Sequence, residues 1–289
     1  MGLSKSELIA LEKKANELRN LCVDTVSWAG GGHIGGALSA MDILTILYYK
    51  YLNINSKNPN WEDRDRFVLS KGHIGVGFAP VLADKGYIDK ELLKEYNHTG
   101  SSLGMHLDSN KVPGVDVSTG SLGHGLSMAL GLAIGGKLKN KNYKVYCLLG
   151  DGECDEGSVW EAAMAISHYR ATNVITIVDR NRCMIDGPTE DVMKLEPFED
   201  KWKAFGFIVK QVNGHSFKEL SKAIDFALAE EEKPVVIIAN TFKGCGVDFM
   251  QDNYKWHYGS LDPERIKHSK ISLEKYFNER IKEVELWQD

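Results

Sequence analysis

Apolar residues return at helical spacing near the start of the chain. Leu8, Leu11, Ala15, Leu18 and Leu21 predict an amphipathic helix over residues 6–29. The glycine-rich break Gly30-Gly31-Gly32-His33-Ile34-Gly35-Gly36 follows, and a second helix is predicted over 39–51. Residues 65–70 read as a short buried strand that empties into the loop Lys71-Gly72-His73. Further along, compact apolar runs at 143–149, 174–178, 207–212 and 235–239 predict buried strands. Helices are predicted between them at 158–169 and 217–229, and a polar terminal helix at 264–287. This alternation predicts an α/β fold: a parallel sheet with helices on both faces. Ligands of such sheets sit at the carboxyl ends of the strands, where this chain keeps its unusual loops. No repeat or linker divides the sequence, so residues 1–289 are expected to form a single domain.

The composition narrows the function classes. In 289 residues, 43% are apolar and 26% charged, which suits a globular core. The net charge of −5 argues against nucleic acid as the main ligand. No apolar run is long enough for a membrane span, and the start lacks the apolar segment of a secretory signal. Met1-Gly2 with Ser6 fits a myristoylation pattern, but no second membrane signal accompanies it. Five scattered cysteines, Cys22, Cys147, Cys154, Cys183 and Cys245, form no Cys-x-x-Cys unit. A cytoplasmic protein with reduced thiols is expected.

Two sets of residues carry chemistry. In Gly150-Asp151-Gly152 a carboxylate stands between glycines at a strand end, and the next strand ends in Asp179-Arg180-Asn181. Adjacent parallel strands would set Asp151 beside Asn181, and oxygen donors of this kind suit Mg2+ holding a diphosphate. The second set is histidine: His33, His73, His106, His124 and His257 lie in loops, most beside glycine, which suits close ligand approach and proton shuttling. His98, His168, His215 and His268 lack that setting and are assigned to surface or structure. Zinc is disfavoured, because no His-x-x-x-His pair or Cys/His cluster occurs. A nicotinamide dinucleotide is disfavoured too, because no strand leads into a Gly-x-Gly-x-x-Gly turn.

In order along the chain, Gly-Gly-His33-Ile-Gly-Gly, Asp-Arg-Phe-Val-Leu-Ser-Lys-Gly-His73, Met-His106, Thr-Gly-Ser-Leu-Gly-His-Gly, Gly-Asp-Gly-Glu-Cys-Asp-Glu-Gly, Asp-Arg-Asn-Arg-Cys-Met-Ile-Asp-Gly and Trp-His257-Tyr-Gly resemble the N-terminal half of transketolase. The resemblance implies a diphosphate-side, thiamine-diphosphate-binding domain. It implies Mg2+ bound by Asp151, Asn181 and the backbone carbonyl of Cys183, where the family usually has an aliphatic residue. By the same resemblance Gly152, His73, Asn181 and His257 hold the cofactor, and Gly120, Ser121 and Leu122 meet its aminopyrimidine. Ser121 stands where many members have proline, and His124 where many have glutamine. His33 and His106 would face the sugar, with His257 near both sugar and cofactor, so these three are the catalytic candidates.

The implied reaction transfers a two-carbon ketol unit from a ketose (phosphate) to an aldose (phosphate). The family takes its activating glutamate from a second, pyrimidine-side domain, which has no counterpart before Asp289. The expectation is a split enzyme. This chain would supply the N-terminal half, and a separate C-terminal subunit would carry the glutamate. Two copies of each chain are expected, with Glu156 and Glu161 at the interface. Two alternatives stay open: part of another thiamine-diphosphate enzyme (2-oxo-acid dehydrogenase or deoxyxylulose-phosphate-synthase-like), or a non-catalytic partner.

Overall fold

The structure is a computed structural model and describes residues 2–286. The predicted first helix is α1 (Lys5–Ala29), opened by a capping box in which Ser4 and Glu7 satisfy each other's backbone N–H. Helix α2 (Ile34–Ile46) starts five residues before the predicted 39 and ends in a wide π turn, Leu47–Tyr51. Gly30, Gly31 and Gly32 form the predicted break after α1, with Gly30 capping it in the left-handed region, whereas Gly35 and Gly36 lie inside α2. A Cβ on Gly35 would lie 2.5 Å from the Trp256 carbonyl, so this glycine serves close packing and does not end the helix.

Then come β1 (Arg66–Leu69), α3 (Gly75–Asp84), α4 (His124–Leu138), β2 (Val145–Gly150), α5 (Gly157–His168) and β3 (Val174–Arg180). The chain continues through α6 (Thr189–Val192), α7 (Phe198–Ala204), β4 (Ile208–Asn213), α8 (Phe217–Ala229), β5 (Val235–Asn240) and α9 (Pro263–Leu286). The predicted end of the last helix at Trp287 lies outside the described residues.

All five strands are parallel, in the order β1-β2-β3-β5-β4. Side chains alternate across the sheet and build two cores. Tyr146, Leu148, Ile175 and Ile177 face α1, α2, α3 and α8, whereas Cys147, Leu149, Val174 and Val178 face α4, α5 and α7. Helices therefore cover both faces, as the alternation predicts. None of the described helices is long and apolar enough to cross a membrane.

The first and last helices meet, α9 packing along α1. Beneath them Arg19 forks onto Asp42 at 3.0 and 2.6 Å, and His215 Nδ1 lies 2.7 Å from the same carboxylate. His215 is thus a buried structural histidine, while His98, His168 and His268 are exposed.

Candidate functional site

A cleft of about 270 Å3 opens at the carboxyl ends of the strands. Its floor is the crossover between β2 and β3. Gly150 pairs with Asp179 across these strands, so Asp151 follows the pair by one residue and Asn181 by two, and both line the cleft, as expected. Asp151 is buried; it accepts the N–H of Gly152 at 2.8 Å and of Arg182 at 2.5 Å, and its second oxygen lies 3.2 Å from Arg180 Nη1. Burial pushes its carboxyl pKa up, and a dication would reverse that shift. Asn181 spends its Nδ2 on Ser39 and Asp179, both at 3.3 Å, which leaves Oδ1 with the Cys183 N–H at 3.1 Å. None of the described residues donates to the Cys183 carbonyl, and burial raises the Cys183 thiol's pKa, keeping it protonated. Carboxylate, amide and carbonyl oxygens are the donor set of a hard cation.

The opposite wall is basic and aromatic. His33, His73 and His257 converge, with ring centroids 5.1 to 5.2 Å apart. An antiparallel bridge, with Gly32 and Gly259 exchanging N–H···O bonds at 3.0 Å, brings the loop of His257 onto the loop of His33. Two buried lysines face the same space. Lys71 pairs with Asp179 at 2.5 Å. Lys243 has no carboxylate partner among the described residues; its Nζ lies 3.0 Å from His257 Nδ1, and burial together with Lys71 pushes its pKa down to about 8. The buried His33 Nδ1 has no hydrogen-bond partner among the described residues. An unpaired buried ammonium and an orphaned imidazole nitrogen beside an oxygen donor set fit an anionic cofactor bridged by a metal.

Burial, then His106 and Lys243, lower the His33 pKa to about 4; burial, then Lys243, lower that of His257 to about 3. Both rings are neutral at pH 7. A side-chain NMR titration of the chain is expected to find neither titrating near 6.5. The unfolded chain takes up these protons near pH 6.5, and the fold resists until about 4 at His33 and about 3 at His257. Their contribution to stability is therefore complete above 6.5 and is lost as pH falls toward those two values.

The cleft gathers His33, His73, Gly120, Leu122, Asp151, Gly152, Asn181, Cys183 and His257. Ser121 is exposed and does not line it. His106 is exposed at the edge, its ring 2.7 Å from where a Cβ on Gly120 would lie; with φ +153° this position requires glycine twice over. His124 is exposed at the start of α4, away from the three converging rings. Sequence reasoning missed Lys71, Lys243 and Glu153. Lys243 follows the end of β5, so the strand-end rule could have found it. Asp42, His215 and Cys245 also lie close enough together to hold a metal, but Arg19 occupies Asp42, and the Phe242 N–H points at His215 Nε2 at 2.9 Å.

A parallel sheet with this basic, oxygen-lined cleft at its strand ends is the architecture of an α/β domain that binds an anionic ligand. Residues 11–282 match the family model for the thiamine diphosphate binding domain of transketolase, and the chain belongs to that family. It is 40% identical over 267 residues to a 6-deoxy-6-sulfo-D-fructose transketolase subunit of Clostridium sp. (strain MSTE9), covering 92% of this chain and 97% of that one. It is 39% identical over 275 residues to an apulose-4-phosphate transketolase subunit of Phocaeicola vulgatus, covering 95% and 96%. The crystal structure of Campylobacter jejuni transketolase superposes with a TM-score of 0.85 at 32% identity, covering 96% of this chain and 46% of that one. The chain therefore spans about half the length of that solved transketolase.

Proposed function

We propose that this chain is the N-terminal subunit of a split transketolase, which uses thiamine diphosphate and Mg2+ to move a two-carbon ketol unit from a ketose to an aldose, both sugars or sugar phosphates. The observation that carries the reading is the meeting of the Asp151, Asn181 and Cys183 oxygens with the unpaired Lys243 ammonium in one cleft. When bound, thiamine diphosphate supplies the nucleophilic carbon and electron sink that ketol transfer needs. Asp151, Asn181 and the Cys183 carbonyl would hold the metal, with His73, Gly152 and Lys243 around the diphosphate and Gly120 and Leu122 beside the aminopyrimidine. His33 and His257, neutral and close together, would take and return protons at the sugar's hydroxyl oxygens, with His106 beyond them.

The relatives named as subunits support a separate partner, because they match this chain almost end to end. That partner would carry the pyrimidine-side glutamate, in an assembly of two copies of each chain. Glu156, Glu161, Met128 and Met164 are exposed on or beside α4 and α5, where it would dock. The five unpaired cysteines support a reducing, cytoplasmic location. The chain purified with every partner absent is expected to show no two-carbon transfer with thiamine diphosphate and Mg2+. Activity should appear on adding the partner, across an interface of about 2,000 Å2 or more. Turnover by the lone chain would overturn the split-enzyme reading.

A further inference from the structure

Glu153 is 3% exposed and lines the cleft just after Asp151. Its carboxylate receives donors from three separate places. The Ser70 hydroxyl, at the end of β1, and the backbone N–H of Gly123, before α4, share Oε1, the latter at 2.9 Å. The backbone N–H of Gly150, ending β2, reaches Oε2 at 3.0 Å. The loop of residues 119–123 has no backbone-to-backbone hydrogen bond to the sheet among the described residues. Its anchors are the Thr119 hydroxyl on the Leu69 carbonyl at 2.6 Å and the Gly123 N–H on Glu153.

We infer that Glu153 is a positioning residue that fixes the Gly120–Leu122 wall of the cleft relative to the Gly150-Asp151-Gly152 turn, and thereby sets cofactor affinity. The inference rests on the functional reading above. One side chain spans the two walls, so the backbone groups assigned to the aminopyrimidine and those assigned to the metal-diphosphate move only together. A carboxylate suits the task because it accepts at both oxygens. A glutamine has one acceptor oxygen, so its NH2 would face the N–H of Gly123 or that of Gly150 in either orientation. Changes to groups that orient a metal site from outside it typically cost 10- to 100-fold.

The test is calorimetric titration of thiamine diphosphate with Mg2+ into the full chain assembled with its partner. Glu153→Gln is expected to raise the Kd about 10- to 100-fold, while kcat at saturating cofactor and the KM for sugar stay near wild type. Ser70→Ala leaves both backbone N–H bonds in place and should change the Kd little. A merely structural role would instead lower kcat and assembly with no selective loss of cofactor. Equal affinity in Glu153→Gln and wild type overturns the inference alone, whereas a wild-type complex that binds no cofactor overturns the functional reading with it. Should Glu153→Gln fail to assemble, hydrogen exchange on the wild-type chain decides. Slow exchange at the Gly123 amide supports the anchor, and exchange as fast as in an exposed loop removes it.

Discussion

Replacing Asp151 with alanine is expected to abolish metal-dependent binding of thiamine diphosphate. Asp151 is the only carboxylate in the proposed oxygen set; the other donors are an amide and a backbone carbonyl. Without it the dication loses its one anionic protein ligand and the diphosphate stays less neutralised. The loss should exceed the roughly 100-fold upper range for outer-shell changes. Asp151 also accepts from Gly152, Arg182 and Arg180, so alanine leaves those donors unsatisfied. Asp151→Asn, which keeps an acceptor oxygen but removes the charge, separates local damage from metal loss. Titration of the cofactor into each assembled variant is the measurement, and wild-type affinity in both would remove the metal assignment.

His33→Ala is expected to lower turnover by about 100- to 10,000-fold, the usual cost of losing a proton-transfer partner, with little change in cofactor affinity. His33 stands against His73, His257 and Tyr258, held by rings and not by hydrogen bonds, and its Nδ1 is unpartnered. That nitrogen faces the cleft's converging rings and is open to a hydrogen bond from a bound sugar. Parallel measurement of kcat and of the cofactor Kd settles the role. An unchanged kcat returns His33 to packing, and a fall in both together points to collapse of the cleft.

The sheet was legible because its strands are short apolar runs punctuated by turn residues. Each of the five was found, most to within a residue or two of its ends. Helix α2 was harder. Gly35 and Gly36 carry the signature of a break, and tertiary neighbours explain them: Trp256 and Lys243, more than 200 residues away, crowd Gly35, and Ile74 crowds Gly36. That Asp151 and Asn181 line one cleft followed from parallel neighbours, which a strand-helix-strand pattern implies. The histidines were harder to rank. Five share a loop setting, yet three converge, because convergence depends on the Gly32–Gly259 bridge. Lys71 and Lys243 stayed hidden, since a lysine signals solvent unless its burial is known.

The Gly32–Gly259 bridge also constrains the order in which this molecule can be made. It joins the first glycine loop to one that emerges from the ribosome more than 200 residues later. No nascent chain short of Gly259 can close the wall that carries His33 and His257. Contacts so distant in sequence slow folding, because the loop entropy is lost before the contact forms. The wall that carries these two rings therefore closes only after Gly259 has been made.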